Sequence, residues 1–376
     1  MTSSSTSTDE PIVGLEISQL LLPQPKTGVA QVISNIYDCL QPYWASRGVK
    51  LAPMICQTHP MQIKLTDALL RDKGERFQPT SFVEPEECRA IILAGVDPGV
   101  DFQRLRTASS RNETPIVAII HDILPIQYPN FFVSGGLRAF RVYLQQTLSV
   151  AERIFVYTDK LKMDLATLGW KLPKEVHVVP LGSRMAPQTP RLIDANQISI
   201  LYVSTLEPRK GHNLLLEVFD LLTSWGKDVI MTFIGAHGWN VDELIEKITG
   251  HSEFGSRIRW IRYADDATLK DCALSANIGI MPSVSEGFGL FIEEGLSMGL
   301  KMIASDIPEF RERSQPNLYF SARDSYALAE TVLKVHETSW VKGHQPRSMR
   351  DFTYDLSIIV ESVMNNSTFP PRSSNC

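Results

Sequence analysis

Ser283-Val284-Ser285-Glu286-Gly287-Phe288-Gly289-Leu290-Phe291-Ile292-Glu293-Glu294 lies between an apolar run, Asn277 to Met281, and a helical pattern that continues to about Met298. An apolar run, a glycine turn and a helix in that order form the strand–loop–helix unit of a parallel α/β sheet. Glycines let a backbone approach a ligand closely, and the N–H groups that open a helix attract anions. Two carboxylates, Glu286 and Glu294, stand eight residues apart, one before the Gly287-Phe288-Gly289 turn and one after it. An ionised carboxylate cannot serve a phosphate. Both instead suit neutral hydroxyl-rich groups on either side of one, which is the composition of a nucleotide-sugar.

The same alternation extends outward from this unit over most of the chain. In the first half, strand-like runs fall at Ile12–Ile17, Lys50–Cys56, Ala90–Ala94, Pro115–Ile120, Arg153–Tyr157 and Val176–Val179. Helical patterns lie between them, most clearly at Val29–Ser46 and Leu137–Ser149. Pro180 to Gln197 holds three prolines and no periodicity, and reads as a connection between domains. A second series follows, with strands at Ile198–Ser204, Val229–Ile234, Arg257–Arg262, Asn277–Met281 and Lys301–Ala304. Helices at Asn213–Ser224, Val241–Thr249 and Ala267–Ser275 separate them. Two such series predict two Rossmann-like domains, residues 11–182 and 198–345, facing across a cleft. Arg350 to Met364 reads as a last helix, and residues 1–10 and 365–376 as flexible tails.

Size and composition support this and exclude other classes. A chain of 376 residues accommodates two domains, each with its own core. The net charge of −5 and the lack of a basic tract argue against a nucleic-acid partner. Five scattered cysteines without C-x-x-C spacing argue against a disulfide framework or zinc site, and for a reducing, cytoplasmic compartment. The polar opening lacks the apolar segment of a signal peptide, and no run approaches the ~20 residues that span a bilayer. Peripheral contact with a membrane face stays open, because an amphipathic surface helix needs no such run.

In open parallel sheets ligands sit beyond the carboxyl ends of the strands, so a motif gains weight when it follows one. Thr205-Leu206-Glu207-Pro208-Arg209-Lys210-Gly211 follows the first strand of the second series. Adjacent cations there suit a diphosphate, Arg209 gripping two oxygens and Lys210 acting as a point charge. An exposed basic pair at a helix start is the alternative, although its charge would oppose the helix dipole.

Taken with Ser285–Glu312, this loop resembles the nucleotide-binding half of the retaining glycosyltransferases of family 4, which have the two-domain GT-B fold. The resemblance covers residues about 198 to 312 and includes the family's E-x7-E pattern at Glu286 and Glu294 and the stretch Ile303–Glu312. In the first half, Lys26–Leu40 and Val117–Phe132 are consistent with it, the latter being similar to a subgroup rich in mannosyltransferases of bacterial polysaccharide assembly. The resemblance implies that Arg209 and Lys210 hold the donor diphosphate, that Glu294 binds the ribose hydroxyls, and that Glu286 contacts the transferred sugar. It places the backbone of Gly287, Phe288, Gly289 and Leu290 at the phosphates, and His121 near the reacting bond. A strand-end histidine is otherwise more often a structural residue, and Asp122 beside it suits a turn cap. Gly28, after Thr27, opens a long helix; the equivalent loop of the fold approaches the donor phosphates or the acceptor, and simple helix capping is the alternative. The implied activity is transfer of a hexose with retention, mannose from GDP-mannose being the leading donor. The implied acceptor is a glycan, a lipid-linked sugar or another hydroxyl.

Two departures stand out. Ser204-Thr205 occupies a place where many family members carry Gly-Arg, and Leu181-Gly182 replaces the usual Asn-Gly. The missing cation leaves room for a catalytically idle scaffold, and an epimerase or phosphorylase of the same fold is a further alternative. No metal or other cofactor is expected: H-E-x-x-H, Cys/His clusters and a strand-end Asp-x-Asp are all missing from the sequence, and Asp265-Asp266 reads as a helix cap.

Overall fold

The structure is a computed structural model that describes residues 10–21, 28–57, 82–188, 196–313, 316, 318–338 and 346–366. Thr27, part of the connection before Gln197, and most of both tails lie outside the described residues.

Two six-stranded parallel sheets organise the chain. The first contains β1 (Ile12–Glu16), β2 (Lys50–Met54), β3 (Ala90–Leu93), β4 (Ile116–Ile119), β5 (Arg153–Val156) and β6 (Glu175–Val178), in the spatial order β2-β1-β3-β4-β5-β6. The second contains β7 (Gln197–Val203), β8 (Asp228–Ile234), β9 (Ile258–Ile261), β10 (Ile278–Met281), β11 (Lys301–Ser305) and β12 (Leu318–Phe320), in the order β12-β11-β10-β7-β8-β9. Central strands such as Ala-Ile-Ile-Leu in β3 and Ile-Gly-Ile-Met in β10 are buried at every position, because helices cover both faces of a parallel sheet.

Helices on the first sheet are α1 (Gly28–Ala45), α2 (Phe102–Asn112), α3 (Ser134–Val150) and α4 (Asp159–Thr167). The second carries α5 (His212–Ser224), α6 (Asp242–Thr249), α7 (Asp266–Leu274), α8 (Leu290–Ser297), α9 (Pro308–Arg313) and α10 (Ser325–Glu337). The last helix, α11 (Met349–Asn366), returns to the first sheet. Its Phe352, Leu356, Val360 and Val363 are buried in one cluster with Val13, Leu15, Ile33 and Trp44. Trp44 Nε1 donates to Glu361 Oε1 at 2.7 Å, tying α11 to α1.

The order of the second sheet matters for function. The order in which its strands are added reverses between β7 and β10, and a crevice forms outside the carboxyl ends of strands at such a switch. The loops leaving β7 and β10 carry Arg209-Lys210 and Glu286.

The first sheet holds one ionisable group in an unfavourable place. Glu16, at the carboxyl end of β1, is 1% exposed. Burial, with a smaller push from Asp97, raises its pKa from an ordinary 4.5 to about 7, against hydrogen bonds from Ser18 that favour the ionised form. A carboxyl whose pKa is raised by folding contributes stability below about pH 4.5 and loses it as pH rises through about 7. Glu16→Gln is therefore expected to stabilise the protein at pH 8 by about 3 kcal/mol and to change little at pH 4. Thermal unfolding of both proteins across this range checks the prediction; an equal shift at both pH values would contradict it.

Candidate active site

Arg209 and Lys210 occupy a short 3-10 turn, Pro208–Lys210, that follows β7. Tyr202, buried within β7, donates its hydroxyl to the Lys210 carbonyl at 2.8 Å. The loop after β10 is stitched to this turn by the Val284 N–H, which donates to the Arg209 carbonyl at 2.9 Å. Packing of two adjacent strands thus fixes the two loops against each other.

Glu286 is the centre of this junction. Its Oε2 accepts from Arg209 Nη1 at 2.9 Å, and its Oε1 accepts from Lys210 Nζ at 2.7 Å and from Ser283 Oγ at 2.6 Å. Arg209 also donates to the Ser285 carbonyl at 2.8 Å and pairs through Nε with Glu207 Oε2 at 3.0 Å. All four charged side chains are nearly buried. Burial alone would raise the Glu286 pKa, but Lys210 and Arg209 outweigh it and hold the carboxyl at about 2. Glu207, with less cationic company, is pushed upward by burial. Two cations and two carboxylates balance, which makes the cluster tolerable out of water.

Beyond Glu286 the backbone turns through two glycines that the geometry requires. Gly289 takes φ +85° as the residue preceding α8, and a Cβ there would lie 2.5 Å from the Phe310 ring. Gly287 is needed for a different reason. A Cβ on it would lie 2.6 Å from the main-chain oxygen of His121, which belongs to the other domain. Phe288, between them, is 6% exposed and is buried in the first domain's core, edge-on to Tyr157 at 5.7 Å. Leu290 packs on the same cluster and lies near Gly28 at the start of α1. The turn therefore plugs one domain into the other.

His121, two residues beyond β4, has both ring nitrogens engaged. Nε2 contacts the Ala94 carbonyl at 2.7 Å, and Nδ1 contacts the Tyr157 hydroxyl at 2.8 Å. A carbonyl only accepts, so Nε2 carries the proton and Nδ1 accepts from Tyr157. Burial lowers the His121 pKa, in keeping with a neutral ring. Its main chain, not its imidazole, meets the Gly287 turn. Asp122 caps the next turn, accepting from the Leu124 N–H at 3.0 Å, and Asp265 caps α7 in the same way through the Thr268 N–H at 2.7 Å.

Glu294 sits one helical turn into α8, 5% exposed. Its Oε1 accepts from Arg184 Nε at 2.8 Å, and the Arg184 guanidinium reaches Asp266 as well. Burial raises the Glu294 pKa despite Arg184. The two motif glutamates are thus held by different cations, Glu286 by its own domain's loop and Glu294 by the interdomain connection.

Arg184 had no signal in the sequence, since it lies in an aperiodic stretch 110 residues from its partner. The same holds for the lips of the cleft. Trp239 Nε1 donates to the Phe131 carbonyl at 2.6 Å, and its ring lies against Phe132. The Glu312 carboxylate of α9 accepts from the Asp159 and Lys160 N–H groups that open α4. A shallow groove along this seam is bordered by Asp122, Thr158, Lys160, Glu286 and Glu309 among others. Among the described residues, no group of three or more His, Cys, Asp or Glu is arranged to hold a metal ion. None of the described helices is long and apolar enough to cross a membrane.

Comparison with known proteins bears on this arrangement. Residues 188–347 match the family model described as glycosyl transferases group 1. The serotype-specific mannosyltransferase WbdA of Escherichia coli is 30% identical over 345 residues, covering 85% of this chain but 42% of that protein. The phosphatidyl-myo-inositol mannosyltransferase of Mycobacterium leprae is 25% identical, with 71% of this chain and 69% of that protein covered. The chain thus spans less than half the length of the Escherichia coli relative. Among solved structures, Anabaena Alr3699/HepE in complex with UDP and glucose has a TM-score of 0.64 at 14% identity, over 94% of this chain and all of that one. That likeness supports the GT-B arrangement of two Rossmann-like domains. The motif loops at the switch point and the paired sheets accord with the match of residues 188–347 to the group 1 glycosyl transferases.

Proposed function

We propose that the protein transfers a hexose from a nucleotide-sugar to an acceptor hydroxyl with retention at the anomeric carbon, mannose from GDP-mannose being the leading donor. The observation that carries this reading is Glu286 held between Arg209 and Lys210 at the switch point of the second sheet. A donor diphosphate entering here meets two cations already fixed in place. Its oxygens compete with Glu286 for them, and the carboxylate turns to the sugar.

As the bond to the sugar breaks, charge grows on the departing diphosphate. Arg209, Lys210 and the start of α8 neutralise it, the kind of preorganised stabilisation that dominates many group transfers. The acceptor attacks from the face that the diphosphate leaves, and a phosphate oxygen takes its proton. Glu286 offsets positive charge on the sugar ring. In this reading an acceptor hydroxyl approaches along the groove between Asp122, Lys160 and Glu286. Glu294 accepts from the ribose diol, and His121 sets the main chain against which the Gly287 turn closes. Binding and positioning use no metal in this scheme. The acceptor is a glycan, a lipid-linked sugar or another hydroxyl, and mannosyltransferase relatives favour a mannose-containing one.

Nucleoside diphosphates test the site without knowledge of the acceptor. At 100 times its dissociation constant a ligand adds about 2.7 kcal/mol of stability, a rise of roughly 3–4 °C in melting temperature for a chain of this size. GDP is expected to produce this rise, guanosine is not, and the double substitution Arg209→Ala/Lys210→Ala is expected to remove it. Equal stabilisation of the parent and doubly substituted proteins would refute the assignment.

A further inference from the structure

Arg184 enters the site from outside either sheet. It belongs to the connection between β6 and β7, and that connection is anchored at both ends. The Ser183 N–H donates to the Arg347 carbonyl at 2.7 Å, and the Met349 N–H returns to the Ser183 carbonyl at 2.8 Å. The second interdomain crossing, which leads into α11, is thereby paired with the first. Four residues after Arg184, the Gln188 N–H donates to the carbonyl of Ser297, the last residue of α8, at 2.7 Å. Between these anchors Arg184 points to the middle of α8. Its side chain is 14% exposed and that of Glu294 6%.

The contact is directional. Arg184 Nε binds Glu294 Oε1, while Glu294 Oε2 has no hydrogen-bond partner among the described residues. Asp266, at the start of α7 and 75% exposed at its side chain, holds the guanidinium from the other side. Without a cation, a carboxyl this buried tends toward the neutral acid, which donates one proton and loses an acceptor. A neutral Glu294 would also be free to rotate, and it would present the wrong hydrogen-bond pattern to a vicinal diol.

We propose that Arg184 is a positioning residue of the donor site, which aims the Glu294 carboxylate at the ribose hydroxyls of the nucleotide and ties that aim to the paired interdomain crossings. The inference rests on the donor reading given above, and extends it to a residue outside the family motif. Arg184 acts through Glu294. It also makes discrimination between ribose and deoxyribose a property of this connection as well as of α8.

The test measures affinities of GDP, 2′-deoxy-GDP and inorganic pyrophosphate for the parent protein and for Arg184→Gln, Arg184→Lys and Asp266→Asn. The parent is expected to favour GDP over its deoxy counterpart. Arg184→Gln should weaken GDP about tenfold, the scale of one buried polar partner lost, and should nearly erase that preference. Pyrophosphate, which meets Arg209, Lys210 and the start of α8 but not Glu294, should bind as before. Arg184→Lys should recover part of the loss. Asp266→Asn, at an exposed position that does not threaten folding, should shift the preference the same way by about twofold. An unchanged preference in Arg184→Gln and Asp266→Asn overturns the proposal and leaves the donor site standing. Tighter GDP binding by Arg184→Gln also overturns it, since Arg184 would then be a plug that nucleotide displaces. Failure of the parent to bind GDP or pyrophosphate removes this proposal and the donor reading together.

Discussion

Glu286→Gln is expected to reduce sugar transfer about a thousandfold, the cost of losing a preorganised charge at the reacting centre. The same change leaves Arg209 and Lys210 with only Glu207 to balance them in a nearly buried cluster. Breaking a buried ion pair from one side costs about 3 kcal/mol or more, so the melting temperature should fall by roughly 4 °C or more. Both effects have a recognisable signature. A carboxyl held at about 2 contributes stability above its ordinary 4.5 and loses it as pH falls through 2, so the gap between the two proteins should close on acidification. A nucleoside diphosphate supplies negative charge to the same cations, and should therefore stabilise Glu286→Gln more than the parent. Wild-type transfer by this variant would remove Glu286 from the chemistry, whatever its stability.

Gly287→Ala is expected to have the second largest effect on turnover, with little cost to either domain alone. The added methyl group would sit 2.6 Å from the His121 carbonyl oxygen and 3.0 Å from the Asp122 side chain, both across the cleft. Main chain cannot yield by that much, so the domains must part and draw Phe288 out of the first domain's core. Displacing a reacting group by about 1 Å can cost ~100-fold in rate, and a loss of that size in kcat is expected here. Nucleotide binding, assigned in the proposed reading to residues of the second domain and the connection, should weaken far less. Turnover and GDP affinity measured on one preparation separate these effects. A parallel fall in both would show that the contact serves the nucleotide and not closure.

Much of this was legible in the sequence because the deciding interactions are local. Strands buried on both faces, such as Ile116–Ile119 and Ile278–Met281, read as apolar runs bounded by turns. Glu286, Glu294 and the Gly287–Gly289 turn belong to one short segment, and Arg209-Lys210 to another at the end of a strand. The helix Phe102–Asn112 was harder to see, since only Phe102, Leu105 and Ala108 are buried and two serines interrupt it. Three-residue β12 gives too short an apolar pattern to mark a strand.

What the sequence did not show depends on how the two sheets meet. Arg184 with Glu294, Trp239 with Phe131, and Glu312 with the start of α4 pair residues 108 to 153 positions apart. No periodicity links such residues, because packing of the domains alone brings them together. His121 shows the same dependence. Its place just beyond β4 followed from the strand pattern, whereas its engagement by Ala94 and Tyr157 follows from the neighbouring strands.

The central claim is that this cleft releases a nucleoside diphosphate as it passes a hexose to an acceptor. Release of GDP from GDP-mannose, with mannose-terminated oligosaccharides as acceptors and with UDP- and ADP-sugars in parallel, tests it most directly. The account predicts acceptor-dependent diphosphate release by the parent protein and about a thousandfold less by Glu286→Gln. Diphosphate release at equal rates by both proteins, or acceptor modification with no diphosphate released, would contradict it.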